Sequence, residues 1–316
     1  MTTTGVRTSE TRSGAPAPAA RPPRPRRRPA GRGGPRRRSS VPLTVLMLVM
    51  LAYAAVPLLW LVINATKSNA TLYSSPGLWF GDDFALADNL VQVFTYQDGV
   101  YARWLANTVL YAGVGAAGAT ILAAMGGYAL AKFDFPGKRL MIAVVISGVA
   151  VPLTALAVPT FLLFSQLGLV NTPFAVIIPA LVSPFGLYLM RIFAADAVPD
   201  SLLEAARIDG AGELRIFWTV ALRLMAPGMV TVLLFALVAT WNNYFLPLIV
   251  LNDPQWYPLT VGLNQWNSQI GSSSGGQAVY NIVITGSLVA IVPLVIAFFF
   301  LQRYWQSGLA AGSVKQ

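Results

Sequence analysis

Histidine and cysteine are both absent from the 316 residues. Their absence excludes thiol and histidine-dependent catalysis, Cys/His metal sites and disulfides, and it leaves the redox compartment unmarked. Charge is scarce as well: 11% of residues are Asp, Glu, Lys or Arg, against roughly 25% in an ordinary soluble domain. With 55% hydrophobic residues, the composition is that of a membrane protein. No G-x-x-x-x-G-K-S/T stretch occurs, so the chain has no P-loop with which to hold ATP. Any chemistry is left to carboxylates, hydroxyls, amides or a partner.

The formal charge of +10 is not spread over the chain. Residues 1–40 hold 11 of the 22 basic residues and one of the 12 acidic ones, so the whole excess lies there. This Arg/Pro/Gly/Ser-rich stretch, with its "RPPRPRRRPAGRGGPRRRSS", has too few apolar residues to build a core. It is expected to be a disordered cytoplasmic tail that fixes topology and leans on anionic lipid. No aromatic residue interleaves with the arginines to stack on bases, which argues against nucleic acid. A secretory signal is disfavoured, because Val41 opens a stretch of membrane length rather than a short apolar region before a cleavage site.

About 20 apolar residues at roughly 1.5 Å each cross the hydrocarbon of a bilayer. Uncharged runs of that length predict an all-α membrane protein with six transmembrane helices. The first is 41–63 and the second runs over about 105–131. The uncharged run Leu140–Met190 holds two more, turned by "GLVNTP" at 168–173. The fifth spans 225–250 and the sixth about 279–301, leaving a cytoplasmic tail at 303–316. With both termini inside, Lys132, Lys138, Arg139, Arg191, Arg207, Arg215, Arg223, Arg303 and Lys315 face the cytoplasm, and only Lys67 and Arg103 fall outside. The arginine-rich tail is not needed for that assignment.

The extracytoplasmic segment 64–104 mixes polar and aromatic residues and is expected to form short helices. The loop at about 252–278, with Trp256, Tyr257, Trp266 and a Gly/Ser-rich end, either reaches a partner or pore mouth or forms an interfacial aromatic belt. Within the spans the polar residues are amides and hydroxyls: Asn107, Ser147, Thr154, Gln166, Asn242, Asn243, Asn281 and Thr285. They suit either a pathway for a neutral, hydrogen-bonding solute or contacts between helices.

One charged passage interrupts the apolar chain. "LEAARIDGAGELRIFW" at 203–218 places Glu204, Arg207, Asp209, Glu213 and Arg215 close together, with no His, Cys or metal set to make it catalytic. It reads as a short amphipathic helix. Ser201 and Glu204 have the S-x-x-E spacing of a capping box, and Asp209-Gly210 supplies the stop. Leu202, Leu203, Ala206 and Ala205 make an apolar strip. A helix of two or three turns is marginal alone, which implies that it docks on something.

"EAARIDGAG" followed by "FWTVALRLMAPG" resembles the EAA loop of binding-protein-dependent ABC transporter permeases, whose pattern is EAA, three residues, Gly, nine residues and Ile-x-Leu-Pro. Glu204, Ala205, Ala206, Gly210 and Leu222 match, Val220 replaces the isoleucine, and Arg223 stands where proline is expected. "NTVLYAG" at 107–113, "GGYALAKFDFPGKR" at 126–139, "GLVNTP", "WNNYFLPLIV" at 241–250 and "GLAAGSVKQ" at 308–316 are similar to the carbohydrate-uptake, MalG-like branch. The resemblance covers about residues 41–316 and implies the type I importer permease fold, with the EAA coupling loop at about 195–224. It implies no catalysis and no cofactor in this chain, ATP and Mg being held by a dimeric partner ATPase. Glu204, Ala205, Ala206, Asp209 and Gly210 would dock on that ATPase, and Ser313, Val314 and Lys315 would approach its dimer interface. The other implied partners are a second, MalF-like permease, an extracellular sugar-binding protein and membrane lipid. Trp241, Asn242, Asn243 and Tyr244 are candidates for the solute path, packing between helices being the alternative; the family usually has an acidic residue where Asn243 sits. A permease for a non-sugar solute, or an ion-coupled secondary transporter, is the competing reading.

Overall fold

The computed structural model describes residues 40–270 and 280–311, together with Gly5. The arginine-rich stretch, apart from Gly5 and Ser40, and the tail residues Ser313, Val314 and Lys315 lie outside the described residues. By its contacts the chain forms two units, Met1–Ala52 and Tyr53–Gln316. In the first unit, residues 41–52 are helical with every side chain exposed, and the Thr44 hydroxyl donates to Ser40 O.

All regular structure among the described residues is helical. α1 runs Val41–Ala65, α2 Asn69–Ser74 and α3 Leu86–Thr95. A 3-10 turn at Tyr96–Gly99 leads into α4, Val100–Lys132. α5 (Lys138–Ala150) and α6 (Ala157–Gln166) follow, then α7 (Phe174–Ala180) and α8 (Pro184–Ala197). α9 (Asp200–Ile208) and α10 (Glu213–Ile216) make up the charged passage. A π-helical turn at Phe217–Ala221 continues into α11, Leu222–Leu224. α12 (Ala226–Trp241), α13 (Phe245–Val250), α14 (Leu259–Ile270) and α15 (Tyr280–Ala311) complete the chain.

Among the described residues, four helical stretches are long and apolar enough to cross a membrane: Val41–Ala65, Leu86–Lys132, Phe174–Ala197 and Tyr280–Gln302. Two bent pairs raise the number to as many as six. Lys138–Ala150 meets Leu153–Gln166 at 98°, and Glu213–Leu224 meets Ala226–Trp241 at 80°. Proline accounts for both bends. Pro152 has no N–H to extend the ladder and holds Val151 in an extended conformation. Pro227 sits in the first turn of α12, where its missing N–H costs nothing, and the buried Met225 before it forms the corner. The bend therefore falls after Arg223, which is exposed: Pro227-Gly228 shapes the corner in place of the expected proline.

α4 is the hub. Its residues Gly115, Ala119, Ala123 and Gly127 recur every fourth position and are buried, as are Ala112, Ala116, Thr120 and Ala124 beside them. Small side chains at this spacing form a stripe along which another backbone comes close, which is how helices associate where no hydrophobic force separates them from lipid. α8 and α12 use the stripe. A Cβ at Gly127 would stand 2.6 Å from Arg191 N, and one at Gly115 would stand 2.8 Å from the Ala180 Cβ.

The other half of α4 carries large polar side chains that organise the segment after α13. Asn107 Nδ2 donates to Gln255 O (2.8 Å) and Tyr257 O (3.0 Å), and Trp104 Nε1 donates to Pro254 O (2.9 Å). Tyr111 Oη donates to Trp256 O (2.9 Å), and Thr108 Oγ1 accepts from Leu259 N (2.8 Å). These donors satisfy carbonyls that an irregular segment would otherwise bury unpaired. Asn107 is thus a contact between segments. Trp266 neither reaches outward nor joins a belt: it is fully buried between Tyr101 and Trp104, with its indole N–H on Gln97 Oε1 (2.9 Å). The reason is area, since an indole buries more apolar surface than any other side chain when a pocket of aromatics receives it. Residues 271–278 of the same loop lie outside the described residues.

The expected turn at 168–173 forms, with Gly168 and Asn171 at positive φ (67° and 60°). Asn171 also staples it: its N–H donates to Val250 O, and its Oδ1 accepts from the N–H groups of Asn252 and Asp253. Lys67, assigned from the sequence to the outer side of the membrane, is fully buried, with Nζ donating to Pro76 O at 2.8 Å.

Candidate functional site: a docking helix and a break in a span

The chain enters α9 through Val198 and Pro199, and Pro199 is the N-cap with extended angles (φ −66°, ψ 136°). The helix therefore starts one residue before Ser201. No side chain caps it, so the expected Ser201–Glu204 capping box does not form. Asp200 occupies the first helical position, where its charge suits the positive end of the helix dipole, and it takes an ion pair from Lys132 Nζ at 2.8 Å. Lys132 is the last residue of α4, so this pair ties the start of α9 to the hub.

The other end closes as Asp209-Gly210 predicts. Gly210 adopts φ 80°, Gly210 N–H donates to Arg207 O, and Ala211 N–H donates to Ala206 O. These two bonds define a Schellman motif, which only a residue tolerant of the left-handed region completes without strain. Arg207 then grips Glu213 at the start of α10 through Nε (2.6 Å to Oε1) and Nη2 (3.4 Å to Oε2), which holds the Arg207 pKa above its ordinary value. An ion pair at each end and a fixed stop make α9 a braced element despite its nine residues.

The faces divide differently from the expected strip. Leu203 is buried and Ala206 half-buried against a cluster of Tyr128, Met190, Ala194, Val198, Ile216 and Phe217. Leu202, Glu204, Ala205, Ile208 and Asp209 face outward. Ile208 is 86% exposed and Leu214, just beyond the stop, 72%. Glu204 has no ion-pair partner among the described residues. The sequence shows these residues as an amphipathic pattern, but not that apolar side chains stand on both faces. The Tyr128 hydroxyl, in the cluster that receives Leu203, and Arg191 Nε are buried without hydrogen-bond partners among the described residues.

The second candidate group lies where α12 ends. Trp241 is 8% exposed and packs with Leu259 and Trp266, its indole N–H on Ala290 O at 3.2 Å. Asn242 is exposed and returns its Nδ2 to Val238 O. Asn243 and Tyr244 are half-buried in the irregular break before α13. The Asn243 carbonyl accepts from the Thr260 hydroxyl at 2.8 Å, and its side-chain amide has no partner among the described residues. Asn242, Asn243 and Tyr244 thus form a polar interruption between two apolar helices, whereas Trp241 packs against α15. Glu204 to Gly210 and Trp241 to Tyr244 lie at opposite ends of the α10–α12 stretch, and the structure does not bring them together.

Among the described residues, long apolar helices gather on a small-residue hub, and a braced charged elbow joins them, the arrangement of a helical membrane protein. Residues 116–310 match the family described as binding-protein-dependent transport system inner membrane component, and the chain belongs to that family. It is accordingly a permease subunit and not an enzyme. The chain is 34% identical over 285 residues to the arabinooligosaccharides transport system permease protein AraQ of Halalkalibacterium halodurans, covering 89% of this chain and 99% of that protein. It is 31% identical over 272 residues to the lactose transport system permease protein LacG of Rhizobium radiobacter, covering 85% and 94%. It is 30% identical over 278 residues to the diacetylchitobiose uptake system permease protein NgcG of Streptomyces coelicolor, covering 86% of each. Its fold is similar to a chain in the crystal structure of a bacterial ABC transporter involved in the import of the acidic polysaccharide alginate. The TM-score is 0.74 and the identity 24%, over 84% of this chain and 95% of that one.

Proposed function

We propose that the chain is one of two permease subunits of an ATP-driven carbohydrate importer in the bacterial cell membrane. It crosses that membrane six times, the bend at Pro152 lying within the third span and the bend at Met225 where the coupling loop meets the fifth, with both termini cytoplasmic. A MalF-like permease completes the pore, an extracellular binding protein delivers the sugar, and a separate dimeric ATPase holds ATP and Mg. The observation that carries the reading is the outer face of α9. An unpaired Glu204 beside exposed Ala205 and Ile208, on a helix braced at both ends, is a surface built to be covered by a protein. Lipid would favour bases there, and the outward residues Glu204 and Asp209 are acids. The carbohydrate assignment is supported by the arabinooligosaccharide, lactose and diacetylchitobiose relatives.

Coupling requires an element with two arrangements that both ATP and solute bias. The buried Tyr128 hydroxyl and Arg191 Nε support placing such an element at the root of α9, because an arrangement that leaves buried donors unpaired is one that another arrangement can relieve. Ser313, Val314 and Lys315 are assigned to the ATPase interface by the resemblance of the carboxyl terminus alone. The complex purified through this chain is expected to contain a P-loop ATPase and a second permease, and mass spectrometry of the bound solute should return a saccharide. An amino acid or an inorganic ion in its place would overturn the carbohydrate reading.

Asn242, Asn243 and Tyr244 are the proposed path wall, amides and a phenol being suited to sugar hydroxyls and faces; Trp241, assigned with them, contributes from its packed position. Asn243→Asp is expected to shift the apparent KM for the imported sugar by about 10- to 100-fold with expression unchanged, the scale of one hydrogen bond to a charged group. Uptake kinetics check it, and an unchanged profile across several sugars would assign Asn243 to packing.

A further inference from the structure

A cavity of about 650 Å³ with a mixed polar and apolar lining opens between the start of α2, α3 and the first turn of α15. It shares no lining residue with the break at 242–244. Two of its walls are buried asparagines, Asn89 (1% exposed) and Asn281 (4% exposed). Asn89 Nδ2 donates to Ala65 O and Lys67 O, each at 2.9 Å. Both are backbone carbonyls, which only accept, so the orientation of the Asn89 amide is fixed. Its Oδ1 therefore accepts from Asn281 Nδ2 at 2.7 Å, and Gln92 Oε1 accepts from the same nitrogen at 3.0 Å. Asn281 is oriented in turn, and its Oδ1 is left buried with no partner. A buried acceptor without a donor is costly, and folded proteins keep few of them.

The rest of the lining is rich in acceptors as well. Asp83 and Asp88 add carboxylates, and no Lys or Arg lines the cavity among the described residues. The hydroxyls of Ser68 and Thr71 hold the Asp83 carboxyl below the usual carboxylate range, so it stays an acceptor at physiological pH. An acceptor-rich wall with the ring of Tyr96 beside it, in a volume typical of small-molecule sites, fits a neutral ligand that brings many O–H donors. We propose that this cavity is a carbohydrate-binding site of the permease, separate from the path at Asn242–Tyr244. The proposal rests on the carbohydrate reading above and adds to it a place where sugar is held by this chain.

Because the chain has no cysteine, a single introduced thiol reports on one position. Thr95 is exposed and lines the cavity; Ser74 is exposed on α2 and does not line it. T95C and S74C, each in the full transporter in membrane vesicles, are labelled with a membrane-impermeant maleimide. Lactose, diacetylchitobiose and arabinotriose are added in turn, and uptake of each is measured in parallel. A transported sugar at twice its Kd is expected to slow labelling of T95C about threefold, the factor 1+[L]/Kd, and to leave S74C unchanged. Adding Asp88→Ala or Gln92→Ala should remove the protection; A85C, at another lining position, replaces T95C if the latter lowers the membrane level. Equal labelling of T95C with and without a sugar that the complex transports overturns the site and leaves the transport reading intact. Protection by calcium alone overturns the ligand class. Transport of none of the three sugars overturns the carbohydrate reading, and this proposal with it.

Discussion

Replacing Glu204 with lysine is expected to lower sugar uptake about 100-fold while the chain still inserts and folds. The fold has little stake in this side chain. Glu204 is exposed in the middle of α9 and pairs with no base among the described residues, and lysine forms helix about as well as glutamate. The braces of α9 are elsewhere, in Lys132–Asp200 and Arg207–Glu213. The effect must therefore fall on whatever covers the outer face. Under the proposed docking, Glu204 would face a basic residue of the ATPase; setting a cation against it would cost several kcal/mol, and about 2.8 kcal/mol is a factor of 100 in the docked population. Uptake of labelled sugar, membrane level and recovery of the ATPase with the chain are the three readouts. Wild-type uptake with the ATPase recovered normally would end the assignment of α9 as the docking helix.

What sequence reasoning reached and what it missed divide along a physical line. Hydropathy located α1 over 41–63 and α4 over 105–131, because burial in oil demands long uncharged runs whatever their neighbours. The turn at 168–173 and the stop at Gly210 were legible because glycine and asparagine tolerate a backbone that other residues avoid. Direction was not legible. The 98° bend at Pro152 leaves hydropathy unchanged, so one stretch read as a single span is an elbow, and the 80° bend at Met225 falls at the start of the span drawn over 225–250. The capping box failed because Pro199 fixes the entry to α9 one residue early, a case of backbone geometry overriding a side-chain pattern. Trp266 was misplaced because its partner Gln97 is 169 residues distant in the chain, and nothing local marks a tryptophan for a core. For Asn107 the sequence left path and packing open, and its contacts with Gln255 and Tyr257 select packing. The row of small residues on α4 stood in view at every fourth position but was absorbed into a generic apolar span.

That row carries the second large effect. Gly127→Leu is expected to destabilise the chain by about 3 kcal/mol, near the top of the range for overpacked sites. In detergent this would lower Tm by roughly 10 °C, taking the scaling known for soluble domains of 150–250 residues. The clash is with backbone: a Cβ at Gly127 would meet Arg191 N at 2.6 Å and Met190 C at 2.7 Å, and no rotamer change relieves that. α4 and α8 would have to separate along the seam that α9 packs beneath, where Tyr128, Met190 and Leu203 share one cluster. Loss of uptake should therefore accompany loss of stability, unlike the Glu204 variant, in which uptake fails alone. Gly113, on the same helix, supplies the control, since a Cβ there meets nothing within 4 Å. Gly113→Ala should raise stability slightly, by roughly 0.5–1 kcal/mol, because alanine loses less backbone freedom in a helix than glycine. Thermal unfolding followed in detergent, with uptake measured on the same preparations, separates the two. Equal Tm values for Gly127→Leu and wild type would mean that α4 and α8 do not meet at the distance seen, and the seam would have to be redrawn.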